Sequence, residues 1–113
     1  PGYVARGMSE AAAARCMEAF DASMGRCILA LYRSAAQPQM AEWGANVTGL
    51  RSRPGLVIIP AEDPYTGGEA LCRRTAERTD AQVAFLTGLG HWWLCQDPQR
   101  AAAAYRSFVA ALS

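Results

Sequence analysis

The stretch Gln82–Asp97, Q-V-A-F-L-T-G-L-G-H-W-W-L-C-Q-D, decides how the rest of the chain is read. Val83, Ala84, Phe85, Leu86 and Thr87 are apolar, aromatic or β-branched and suit a buried strand. Gly88 and Gly90 then break the strand, and the only histidine of the protein, His91, follows at once. In open α/β sheets, ligands bind outside the carboxyl ends of the strands. An imidazole delivered there is a candidate acid–base group. The plainer reading is a loop histidine with a structural hydrogen bond.

Upstream, Arg53-Pro54-Gly55 introduces Leu56-Val57-Ile58-Ile59-Pro60, an apolar run without alternation. Burial on both faces, as inside a parallel sheet, calls for such a run. It ends in Ala61-Glu62-Asp63-Pro64-Tyr65-Thr66-Gly67-Gly68, a loop of turn formers. Residues 69–78 follow as a helix, and Thr79-Asp80 leads into the strand at Val83. Strand, loop, helix and strand make a βαβ unit. Its two strands point the same way, so Asp63 and His91 are expected on one edge. A carboxylate beside an imidazole fixes its tautomer and stabilises the imidazolium that proton transfer creates. Such a pair activates a nucleophile. Alone, Asp63 reads as a turn residue or helix cap; Glu62 is second in line as the acid.

The flanks are helical. Asp97-Pro98 is a cap followed by proline at the first helical position. Ala101, Ala104, Tyr105, Phe108, Val109 and Leu112 give that helix an apolar face to lay across the sheet. At the other end Ser9 caps a helix running to about Phe20, with Ala13, Cys16, Met17 and Phe20 on one side. Gly7-Met8-Ser9-Glu10-Ala11 half-resembles the G-x-S-x-G turn of a nucleophilic serine. It lacks both the preceding strand and the second glycine, so Ser9 reads as a cap. A helix after Asp21 carries Met24, Cys27, Ile28, Leu31, Tyr32 and Ala35 at helical spacing. Tyr32 on that face means core packing, or else a phenol reaching a substrate cavity. Gln37-Pro38 ends the helix, and residues 39–53 read as a connector broken by Gly44, Asn46 and Gly49.

Composition narrows the classes. Apolar residues form 51% of the 113, and 11 basic against 10 acidic residues leave a net charge of +1, spread along the chain. The sequence is therefore globular, with no nucleic-acid patch and no membrane-binding stripe. Its longest apolar run, Leu56 to Ala61, is too short to span a bilayer. Cys16, Cys27, Cys72 and Cys95 form no C-x-x-C pair, and one histidine is too few to make a zinc site with them. Reduced thiols and a cytoplasmic setting are expected. The opening Pro1-Gly2-Tyr3 lacks an initiator methionine, which suggests the trailing part of a longer polypeptide.

Three motifs, R-P-G-L-V-I-I-P-A-E-D-P-Y (53–65), G-L-G-H-W-W (88–93) and D-P-x-x-A-A-A-A-Y-R-S-F-V (97–109), together resemble the C-terminal portion of an α/β-hydrolase fold enzyme. The resemblance implies an α/β chain of two parallel strands with flanking helices over residues 53–113. Residues 1–52 would be a cap-like helical segment and connector. By it, Asp63 is the triad acid, His91 the general base, and Trp92 the aromatic flanking the histidine. Tyr65 and Tyr32 join Trp92 as substrate contacts.

The family's nucleophile precedes its acid and histidine in chain order, and no nucleophile elbow or oxyanion loop is present here. The nucleophile is thus expected upstream of Pro1. Ester-type hydrolysis of a small molecule by a Ser-His-Asp triad follows, with no cofactor or metal and no activity in this chain alone. An upstream aspartate would instead make an epoxide hydrolase or haloalkane dehalogenase, Tyr32 donating to an epoxide oxygen. A non-catalytic fragment or interaction module is the third reading. Unpaired sheet edges would then make the chain pair with a missing N-terminal portion or self-associate.

Overall fold

The two apolar runs pair as parallel strands, and the segment between them is the helix that makes the crossover possible. In chain order a 3₁₀ turn (Val4–Arg6) is followed by α1 (Glu10–Glu18), α2 (Ala22–Ser34), α3 (Gln39–Asn46), β1 (Leu56–Pro60), α4 (Gly68–Thr79), β2 (Gln82–Leu86), α5 (Trp93–Gln96) and α6 (Pro98–Ala110). The structure, a computed structural model, describes residues 2–47 and 53–112. Leu56 lies beside Gln82, and the register runs on to Pro60 beside Leu86. Paired residues of parallel strands share a face. Val57, Ile59, Val83 and Phe85 therefore lie on one side, and Ile58, Ala84 and Leu86 on the other. Arg73 of α4 sits 5.9 Å over the Phe85 ring, which fixes α4 on the first side. Ala101, Ala102 and Tyr105 of α6 border a cavity of about 290 Å³ with Ile58, which fixes α6 on the second. The described residues thus form a mixed α/β arrangement of two strands and six α-helices.

The capping residues act as their chemistry demands. Ser9 Oγ accepts from Ala12 N–H at 3.2 Å, Asp21 Oδ1 from Met24 N–H at 2.7 Å, and Asp97 Oδ1 from Arg100 N–H at 3.0 Å. Each satisfies an amide that a helix start leaves without a partner. A 3₁₀ turn rather than a strand precedes Ser9, and its hydroxyl is engaged in the cap. The half-match to a nucleophile turn is therefore a helix start.

Three expectations need correction. The segment after Pro38 is not irregular throughout: Gln39–Asn46 is α3, started by Ala41 and Glu42 N–H donating to Pro38 O. Met40, Ala41, Glu42 and Trp43 outweigh the single cost of Gly44. Gly49 lies outside the described residues. Secondly, α2 stops at Ser34 and buries none of its residues. Met24, Ile28, Leu31 and Tyr32 stand at the surface, Tyr32 at 75% exposure, so Tyr32 is not a core residue. Periodicity formed the helix, but the described elements leave its apolar face largely exposed. Thirdly, the strands are buried mainly at their carboxyl ends, at Ile59, Pro60 and Leu86, while Val83 and Phe85 stay exposed. Of the four cysteines, all free, only Cys72 is buried.

These exposures add up. The accessible surface is 8222 Å², whereas a compact protein of this mass would show about 6,000 Å². The radius of gyration is 16.4 Å, against about 13 Å for a compact domain of this length. No described helix is long and apolar enough to cross a membrane.

Ile59 is the most deeply buried side chain, at 1% exposure. Ile59→Ala should destabilise the protein by about 2–5 kcal/mol, because the hole it leaves cannot collapse against a strand. Val83→Ala, on the open part of the same face, should cost far less. Urea denaturation of the two variants checks the order.

Candidate active site

Backbone hydrogen bonds carry the parallel pairing past the ends of the strands. Ala61 N–H donates to Leu86 O at 3.0 Å and Glu62 N–H to Leu89 O at 2.9 Å. The two loops therefore leave the sheet together. After β1, Asp63 N–H turns back to Pro60 O at 3.2 Å. After β2, Gly88 takes a positive φ of 74° that side chains disfavour. Gly90 N–H then donates to Gln96 Oε1 at 2.7 Å, and Trp93 N–H donates to Gly90 O as α5 begins. Arg100 Nη1 adds a bond to Thr87 O at 3.0 Å from α6. His91 is thus held from both sides in a short, braced loop.

Asp63 and His91 are in contact. His91 Nδ1 lies 3.0 Å from Asp63 Oδ2 and 3.2 Å from Oδ1, and Tyr65 N–H donates to Oδ1 at 2.8 Å. The Asp63 side chain is 3% exposed and that of His91 39%. A carboxylate withdrawn from water that far needs donors, and the imidazole and the Tyr65 amide supply them. With Nδ1–H given to a carboxylate that only accepts, the basic lone pair of the ring lies on Nε2. Nε2 makes no hydrogen bond among the described residues, and the side chain is partly exposed. Asp63, not Glu62, is the acid that holds the imidazole.

Aromatic rings frame the histidine. Tyr65 meets it edge-on at 4.9 Å between centroids and Trp92 at 5.0 Å, while Tyr3 meets Trp92 edge-on at 5.5 Å. A cavity of about 450 Å³ is lined by Tyr3, Arg6, Tyr32, Tyr65, His91 and Trp92. A second hollow of about 410 Å³ continues past Arg6 and His91 to Glu62, Gly90 and Gln96. All five residues singled out in the sequence therefore meet here: Asp63 bonded to His91, with Trp92, Tyr65 and Tyr32 around the cavity. The buried Nε1 of Trp92 has no hydrogen-bond partner among the described residues.

Sequence reasoning missed Tyr3, Arg6 and Gln96. The first two sit on the 3₁₀ turn, a segment with no periodicity to flag it. That turn is seated by Gly7, whose φ is 92° and where any Cβ would collide with the Gln96 amide. Among the described residues neither cavity is lined by a serine or cysteine. No group of three His, Cys, Asp or Glu side chains converges there to hold a metal ion. Set against protein-family models, curated proteins and solved structures, the chain matches none of them.

Asp63→Ala would leave the Tyr65 amide without its acceptor and should cost about 1–3 kcal/mol. Asp63→Asn keeps an oxygen for that amide and should lose clearly less. Chemical denaturation of the two variants compares them.

Proposed function

We propose that this chain carries the acid and general base of a hydrolase of the α/β-hydrolase fold, acting on carboxylic-ester-type small molecules. A serine upstream of these residues attacks the carbonyl. His91 Nε2 takes the serine proton and returns it to the leaving group, and Asp63 orients the ring and stabilises the imidazolium. The observation that carries this reading is the buried carboxylate on Nδ1 of a half-exposed imidazole, at the carboxyl ends of parallel strands. The histidine borders an open cavity walled by aromatic rings, with room for a small ester. Reaction by this route calls for no metal or cofactor.

The unfilled surfaces fit the same reading. Gln82 N–H donates to Gly55 O and Ala61 N–H to Leu86 O, which sets the phase of the ladder. In that phase the backbone groups of Leu56 and Ile58 point to the far edge of β1, where no described strand pairs with them. The rest of a hydrolase sheet, or a second copy of this edge, would occupy it.

The Tyr32 phenol borders the cavity beside His91, and that favours a second version with an upstream aspartate nucleophile opening epoxides. There the phenol donates a hydrogen bond to the epoxide oxygen.

In the full-length protein, His91→Ala should lower ester turnover by about six orders of magnitude with an unchanged far-ultraviolet circular dichroism spectrum. Wild-type turnover in the folded variant would refute the assignment. Tyr32→Phe should abolish epoxide opening if the second version holds and leave ester hydrolysis nearly unaffected if the first does. Assaying both substrates on this variant separates the two.

A further inference from the structure

We propose that the cavity beside His91 selects ligands carrying a carboxylate on an apolar or aromatic body, and that Arg6 is the residue that selects them. This rests on the reading of that cavity as the substrate site. For the hydrolysis above, the favoured substrate is an ester bearing a separate carboxylate.

Arg6 lines both hollows that meet at His91. Its guanidinium lies 5.7 Å over the Tyr65 ring, within reach of a cation–π attraction that keeps it beside the cavity. Its side chain makes a single, long hydrogen bond, 3.5 Å from Nη1 to Gly2 O. No acidic group lies within ion-pair distance of it among the described residues, where the ion pairs are Arg73 with Glu69 and His91 with Asp63. Glu62 borders the second hollow without pairing to it. A guanidinium offers five donors in a planar fork matched to a carboxylate. Most of those donors have no partner here, at the mouth of a cavity.

The placement is built rather than incidental. Arg6 N–H donates to Tyr3 O at 3.1 Å, Gly7 N–H to Val4 O at 3.0 Å and Met8 N–H to Tyr3 O at 3.1 Å, while the Met8 side chain is buried. Gly7 closes the turn against Gln96 in a conformation only glycine adopts readily. The arginine is therefore presented by a fixed backbone, and less ordering is needed when a ligand arrives. The remaining walls, Tyr3, Tyr32, Tyr65 and Trp92, are flat and largely apolar. They suit a ring or an extended chain, with the anionic group at the Arg6 end.

The test measures binding and needs no turnover. The full-length protein is titrated by calorimetry with 4-phenylbutyrate and with its uncharged amide, at low ionic strength. The acid should bind about tenfold tighter or more, as a charge-assisted hydrogen bond implies. Arg6→Gln should abolish that preference by bringing the affinity for the acid down to that for the amide; the exposed side chain makes this variant benign for folding. Arg6→Lys should keep part of the preference, because an ammonium retains the charge but loses the fork. Equal affinities in the wild-type protein, a preference that survives Arg6→Gln, or no binding of either probe would each overturn the proposal. A protein that prefers the acid yet hydrolyses no ester upholds this inference and refutes the hydrolase reading. One that hydrolyses esters with no such preference does the reverse.

Discussion

The site depends on two amide hydrogen bonds that lie just outside the sheet. Ala61 to Leu86 continues the parallel ladder after the strands have formally ended, and Glu62 to Leu89 ties the two loops together beyond it. They make the loop carrying Asp63 and the loop carrying His91 leave in step. A slip of one residue in either strand would turn every side chain of that strand to the opposite face. It would also shift both loops out of register, so the contact between carboxylate and imidazole is a direct reading of strand register. Residues 28 positions apart in sequence meet because five paired positions and two extra bonds leave them little choice.

The electrostatics of the pair follow from its unequal burial. Asp63 is closed off under its loop, where only committed donors make a carboxylate tolerable. His91 shares its Nδ1 side with that buried group and its other side with solvent. The arrangement gives the ring a fixed orientation and one accessible nitrogen. Around it the described residues give incomplete cover: α2 buries nothing, both strand faces are partly open, and no described strand pairs with the outer edge of β1. Tight order around Asp63 and loose coverage elsewhere describe a framework whose most finished part is its chemical end.

Legibility in the sequence tracked the range over which each feature is decided. Leu56–Pro60 read as a strand because five consecutive apolar residues leave no polar face. The start of α6 read from Asp97-Pro98, because a cap and a following proline are local chemistry. Asp63 and His91 could be placed on one edge because a βαβ unit fixes both strand directions. The end of α2 and the existence of α3 were harder, since the preference of Met40–Trp43 for helix competes closely with Gly44 and Asn46. Tyr3 and Arg6 were invisible. They reach the cavity through a short turn seated on a side chain far along the chain, and nothing periodic or charged marks such a contact. Burial on α2 was overestimated for a related reason: an apolar stripe states what a helix can cover, not what is there to cover it.

Gln96 joins parts of the molecule that sequence keeps far apart. Its carboxamide oxygen holds the Gly90 amide beside the histidine, and its nitrogen end fills the space a side chain at position 7 would need. A side chain at position 7 would have to displace that carboxamide and adopt a backbone conformation that side chains disfavour, and displacing the carboxamide strands the Gly90 amide. One carboxamide therefore links the N-terminal turn to the loop of His91, so a replacement at position 7 is felt at the histidine through residue 96.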